Sequence, residues 1–121
     1  MKKPLAFVIE DDKNLAAAFS EALLDAGYAV EIIYDGKTAL EKLAQATPAT
    51  VILDLHIPHV KGSDVLAYIR GDARLKDIRV VVATADDKIA ETLRGVADLI
   101  LLKPVGFSQL RDLAKRVMPQ S

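Results

Sequence analysis

Short apolar runs alternate with amphipathic stretches along the whole chain. Leu5–Ile9, Val51–Leu55, Arg79–Ala83 and Leu99–Leu102 are nearly continuous apolar runs of four or five residues. Strands buried on both faces read this way, as in a parallel sheet covered by helices. Ala29–Tyr34 is less purely apolar, with Glu31 in its middle, and is expected at a sheet edge. Between the runs the period becomes helical. Leu15, Phe19, Ala22, Leu23 and Ala26 recur at offsets of 4, 7, 8 and 11, and Gly27 follows as a stop signal. Asp35 is an N-cap for a second helix that turns Ala39, Leu40 and Leu43 inward and is expected to end at Pro48. Val65, Leu66 and Ile69 mark a third helix, and Ile89, Ala90 and Leu93 a short fourth. Phe107, Leu110, Leu113, Ala114 and Val117 mark a fifth. The order is therefore βαβαβαβαβα. Strands joined by helices run parallel with right-handed crossovers, so the fold class is α/β, a five-stranded doubly wound sheet. Its ligands belong beyond the carboxyl ends of the strands. The periodicity leaves the strand order open.

Composition adds limits. A chain of 121 residues is expected to form one domain over residues 1–121, large enough to fold without a metal or disulfide staple. There are no cysteines, which removes disulfides and thiolate metal sites and fits a reducing, cytoplasmic setting. Sixteen basic against seventeen acidic residues give a formal net charge of −1, so nothing draws the chain generally to nucleic acid or to anionic membrane. No run approaches the ~18 apolar residues of a membrane span.

The chemistry collects where the apolar runs stop. The first ends in Glu10-Asp11-Asp12, the third in Asp54, the fourth in Thr84-Ala85 and the fifth in Lys103-Pro104. In a parallel sheet these ends share one rim, which gathers carboxylates, a hydroxyl and an ammonium from positions up to 93 apart. Singly, each has a plain structural role: an Asp after a strand caps the next helix, a Thr caps a turn, and Lys-Pro punctuates a loop. Together they need a further explanation. Two carboxylates ~4 Å apart repel by about 4 kcal/mol at an effective dielectric near 20, and Lys103 offers one positive charge against at least two of them. Hard oxygen ligands on a shallow rim suit Mg²⁺. A carboxylate nucleophile, a cation, a lysine and a hydroxyl make up the set that phosphoryl transfer requires.

At these residues the sequence resembles the receiver domains of two-component response regulators. The resemblance covers nearly the whole chain and rests on Val8-Ile9-Glu10-Asp11-Asp12, Leu53-Asp54-Leu55-His56-Ile57-Pro58, Gly62, Val82-Ala83-Thr84-Ala85, Ala97-Asp98 and Leu102-Lys103-Pro104. It implies a flavodoxin-like sheet in the order 2-1-3-4-5. It implies Asp54 as phosphoacceptor, Asp11 as direct Mg²⁺ ligand, Glu10 as its partner through water, and His56 as a ligand through its backbone carbonyl. Thr84 matches the switch hydroxyl, the Ala85 N–H a phosphoryl contact, and Lys103 the lysine that pairs with the phosphoryl group. A cis bond is implied before Pro104, and Asp12 is expected to cap a helix. The implied partners are a sensor histidine kinase or a histidine phosphotransfer protein, and a downstream protein met through the region of the fourth helix. Direct nucleic-acid binding and membrane association are not implied.

The sequence also departs from the family. Ile100 stands where receivers usually carry Tyr or Phe, Val105 where many have an aromatic after Lys-Pro, and Leu99 where DNA-binding receivers carry an acid used in dimer contacts. These departures bear on the aromatic switch and on that dimer, not on the acceptor. They also keep a second reading open, a degenerate receiver that binds proteins without being phosphorylated. A metal-dependent phosphatase with an aspartyl nucleophile is a third. It would place a second acid where His56 stands.

Overall fold

The runs beginning at Leu5, Thr50 and Arg79 lie at the centre of the sheet, where strands covered on both faces favour apolar side chains, and Leu99–Leu102 lies at an edge. The computed structural model describes residues 2–118; Met1 and residues 119–121, the ends of the expected single domain, lie outside the described residues. The elements are β1 (Leu5–Ile9), α1 (Lys13–Ala26), β2 (Ala29–Ile33), α2 (Gly36–Leu43), β3 (Thr50–Asp54), α3 (Gly62–Gly71), a 3₁₀ turn (Ala73–Leu75), β4 (Arg79–Thr84), α4 (Asp87–Thr92), β5 (Leu99–Leu102) and α5 (Phe107–Arg116). All strands pair in parallel in the order β2-β1-β3-β4-β5, as the resemblance implied, with the mixed run containing Glu31 at one edge.

Alternate side chains of the central strands feed two cores. Phe7, Ile9, Val51, Leu53, Val80 and Val82 pack with Leu43, Val65, Leu66 and Ile69 from α2 and α3. Ala6, Val8, Ile52, Val81 and Ala83 pack with Phe19 and Leu23 of α1 and with Leu110 and Leu113 of α5. Polar groups fix the far end of the sheet. The Asp98 carboxylate accepts from the Val80 N–H at 2.7 Å and from Arg70 Nη2 at 2.8 Å. Arg70 also donates to the carbonyls of Val96 and Ile78.

Several boundaries differ from the sequence expectation, each for a local reason. The third strand starts one residue early and stops at Asp54, since the Leu55 carbonyl turns away to accept the Gly62 N–H at 3.1 Å. The fourth runs on to Thr84, whose carbonyl takes the Lys103 N–H at 2.9 Å. The second stops at Ile33, the last residue in register with β1, and leaves Tyr34 exposed. Pro48 does not end α2. That helix closes at Leu43, where the Arg74 guanidinium takes the Leu43 carbonyl and donates to Thr47 Oγ1 at 3.0 Å, satisfying carbonyls a helix end leaves orphaned. Phe107 opens α5 but is exposed, because the inward stripe begins a turn later at Leu110. Gly27 does end α1, in the left-handed conformation at φ 105°, and Asp12 and Asp35 cap α1 and α2.

The loop between β3 and α3 is held very close. A Cβ on Gly62 would lie 2.4 Å from the Asp54 carbonyl oxygen and 2.5 Å from Leu55 Cα, so α3 begins against the backbone that carries Asp54. In the same loop Val60 N–H bonds to the Pro58 carbonyl at 2.9 Å across His59, a non-glycine residue at φ 72°. That tight turn is a strained one. Gly62→Ala should therefore destabilise the protein by about 1–3 kcal/mol in urea unfolding, as overpacking does. Gly71→Ala, where an added Cβ meets nothing within 4 Å, should instead be neutral or stabilise by about 0.4–1 kcal/mol.

Candidate functional site

Strand register places the polar rim. Ile9 pairs with Leu53, which sets Glu10 level with Asp54. Asp54 pairs with Ala83, one residue before Thr84, and Thr84 pairs with Leu102, one residue before Lys103. Four residues distant in sequence thus reach one rim because each follows or ends an apolar strand.

Glu10, Asp11 and Asp54 each offer a carboxylate oxygen within 4.8 Å of the other two. Glu10 and Asp54 are buried and Asp11 is exposed. Lys103 bridges the buried pair, its Nζ donating to Glu10 Oε1 at 3.0 Å and to Asp54 Oδ2 at 3.2 Å. The remaining oxygens are held by backbone. Asp54 Oδ1 accepts from the His56 N–H at 3.0 Å, and Glu10 Oε2 from the Asp12 N–H at 3.2 Å. The His56 side chain is exposed, and Ala85 is exposed on the same rim. Thr84 is fully buried, with its hydroxyl accepting from the Asp86 N–H at 3.1 Å. The Lys103–Pro104 bond is cis. Glu10, Asp11, Asp54 and Lys103 therefore form one cluster. Thr84 and Ala85 stand on the neighbouring strand end, the threonine bonded into its own loop.

The electrostatics show an excess of negative charge. Burial, with the Asp54 carboxylate beside it, pushes the Glu10 carboxyl up to about 7 against the opposing pull of Lys103. Burial would lower the Lys103 ammonium, but the Glu10 and Asp54 carboxylates outweigh it and leave it raised. Three carboxylates facing one ammonium leave room at the site for another positive charge. The donors are all oxygens and one carboxylate is open to solvent, a set that fits a hard divalent cation retaining part of its water shell. Asp11 and Asp54 would hold it, with Glu10 behind them.

The receiver domain model of the response regulators matches residues 6–115. This chain belongs to that family. Receivers are signalling domains. Response regulator MprA of Mycobacterium tuberculosis is 32% identical over 120 residues, covering 93% of this receiver and 51% of the relative. The chain thus spans about half the length of the curated relatives it matches. Among solved structures, chemotaxis response regulator CheY4 of Vibrio cholerae is 25% identical with a TM-score of 0.86, covering 97% of this chain and 100% of that one. The phosphorylated cyanobacterial phytochrome response regulator RcpA is 29% identical with a TM-score of 0.79, covering 95% and 91%. Among the described residues no helix is long and apolar enough to cross a membrane.

Two features of the receiver's site carried no readable sequence signal. One is the amide of His56, which orients Asp54 through the backbone whatever its side chain. The other is the close approach at Gly62: the residue is among those that carry the resemblance, but nothing local in the sequence says that it lies against the Asp54 backbone.

Glu10 sets the pH response of the metal-free protein. Its folded pKa lies above the unfolded value of 4.5, so folding takes up a proton. Its contribution to stability is fully present below about 4.5 and is lost as pH rises through about 7. In chelator, Glu10→Gln should melt near wild type at the acidic end of that window and above wild type beyond pH 7. Parallel melting curves across the window would refute the assignment.

Proposed function

We propose that this receiver accepts a phosphoryl group on Asp54 from a phosphohistidine of a sensor histidine kinase or histidine phosphotransfer protein. The observation that carries the reading is the two-way bridge from Lys103 to Asp54 and Glu10. It places a buried carboxylate at the rim with an ammonium beside it and an acidic pair able to take a cation. Asp54 is the nucleophile. One of its oxygens attacks phosphorus while the phosphorus–nitrogen bond breaks, and the electron pair leaves with the donor imidazole. The His56 amide keeps the carboxylate oriented, and Lys103 meets the charge of the incoming phosphoryl oxygens. Thr84, through its hydroxyl, and Ala85, through its N–H, take the remaining oxygens once the acyl phosphate has formed. Asp11, Asp54 and the His56 backbone carbonyl would hold Mg²⁺, with Glu10 as their partner through water, and the cation would supply positive charge to offset that of the phosphoryl group.

The phosphorylated state of RcpA, a relative of the same fold, supports this reading. The output is a conformational change met by a downstream protein near α4, and the setting that suits the chain is the cytoplasm. A degenerate receiver binding its partner without phosphorylation would have no physical need of a Glu10–Asp11–Asp54 cluster that lifts the Glu10 carboxyl.

Two measurements test the proposal. Acetyl phosphate with Mg²⁺ should add one phosphoryl mass, labile to base and hydroxylamine. Asp54→Asn should abolish the addition, and Lys103→Ala should slow it in a folded protein. Modification that survives Asp54→Asn would move the acceptor elsewhere. Mg²⁺ at about 100-fold over its dissociation constant should stabilise wild type by about 2.7 kcal/mol, read as a rise in Tm. Asp11→Ala should lose that rise, and a wild-type Tm indifferent to Mg²⁺ would remove the cation from the mechanism.

A further inference from the structure

The two walls of the acidic rim are fastened to one short segment. On one side the Glu10 N–H bonds the Ile33 carbonyl at 2.9 Å, which ties the Glu10–Asp11 wall to the end of β2. Further along the same segment the Gly36 N–H bonds the Pro58 carbonyl at 3.1 Å, which ties it to the loop that carries His56. That loop backs the second wall, since the His56 N–H holds Asp54 Oδ1 at 3.0 Å. Residues 33–36 therefore span the rim from behind and set the spacing of its walls. We propose that Gly36 is a positioning residue for the cation site, the point at which this bracket closes. The inference rests on Asp11, Asp54 and the His56 carbonyl being the groups that hold Mg²⁺.

Glycine is demanded at position 36 by space and not by backbone conformation. The glycines at positive φ are Gly27 and Gly95, so Gly36 has a backbone that any residue adopts. A Cβ there would nonetheless lie 2.1 Å from the Val60 carbonyl oxygen and 2.7 Å from Val60 Cβ, closer than such atoms pack. A methyl group drives α2 and the loop apart, and the bond from Gly36 to Pro58 lies directly in its way. The helix side is fixed, because the Asp35 carboxylate accepts from the Thr38 N–H and the Thr38 hydroxyl, each at 2.8 Å. The loop is the part that moves.

The loop's other fastenings leave it that freedom. Leu55 and Gly62 close it at the base, and Ile57 is buried in the core. Among the described residues, the bond from Gly36 is the only backbone–backbone hydrogen bond that reaches residues 56–60 from another element. His59 holds φ 72° there, a conformation that persists in a non-glycine residue only where the surroundings enforce it. The bracket supplies that enforcement. Mg²⁺ accepts little departure from octahedral geometry, so a site that draws ligands from both walls needs them held at one spacing. Disturbing the groups behind metal ligands typically weakens binding about ten-fold or more.

Mg²⁺ titration of the full chain, read at the amide chemical shifts of Asp11 and His56, tests the inference. Gly36→Ala should bind Mg²⁺ about ten-fold more weakly than wild type. Leu113→Ala, a truncation buried on the opposite face of the sheet, should lose stability and keep the wild-type dissociation constant. If Gly36→Ala does not fold, wild type alone decides. An opened bracket that binds Mg²⁺ about ten-fold less well requires, by linkage, that saturating Mg²⁺ slow hydrogen exchange at the Gly36 amide by at least that factor. Wild-type affinity in Gly36→Ala overturns the positioning role, as does an equal loss in Leu113→Ala or a Gly36 exchange rate indifferent to Mg²⁺. No Mg²⁺ shift at Asp11 and His56 in wild type removes the cation reading itself, and the inference with it.

Discussion

Carboxylates crowded at the rim of a sheet repel one another, and in this receiver the Lys103 ammonium is what allows Glu10 and Asp54 to lie buried side by side. At their separation of under 4.8 Å and an effective dielectric near 20, two full charges would repel by roughly 3–4 kcal/mol. Each Lys103 contact, at 3.0 and 3.2 Å, is worth about 5 kcal/mol of attraction on the same scale, before desolvation is counted. Attraction therefore exceeds repulsion while one cation faces two anions. It does not exceed it by enough to leave Glu10 an ordinary carboxyl, whose pKa stays high because burial adds to the load. The bridge also ties the ends of β1, β3 and β5 across the sheet. Charge at the site and geometry of the fold are thus one constraint.

That constraint works because the backbone under Asp54 cannot drift. The Gly62 contact, the Leu55–Gly62 hydrogen bond and the His56 amide fix the carboxylate from behind. The strained turn at His59 is held in place because the Gly36 N–H bonds the Pro58 carbonyl at 3.1 Å, at the start of α2. Rigid packing on the α2–α3 side contrasts with the short, cap-dependent α4 on the other. Asp54 thus sits between the closely packed start of α3 and the short α4.

The architecture was legible in the sequence because both of its periods are strong. Five strand runs and five helices fell where expected within a few residues, and the rim residues could be read off as whatever ended each run. What escaped was set by contacts between segments far apart. The end of α2 depends on Arg74, some thirty positions further on, so no local pattern near Pro48 announced it. Leu55 looked like strand by hydrophobicity alone, yet its carbonyl was claimed by Gly62. The exposure of Phe107 follows from where α5 meets the sheet, which periodicity cannot locate. At the site, residue types were readable but hydrogen-bond direction was not. Nothing in the order Thr84-Ala85-Asp86 says that the hydroxyl accepts from the Asp86 amide.

Ile100 brings these strands of reasoning together. It lies on the α4 side of β5, half-buried against the core that holds Ile89 and Leu93. Its branched Cβ leaves it stiff at χ1, and it has no hydroxyl to exchange between solvent and interior. A large polar-tipped ring can register a displacement of Thr84 by swinging into the space left behind. An isoleucine can only fill space, so β5 has no side chain whose two positions differ in hydrogen bonding.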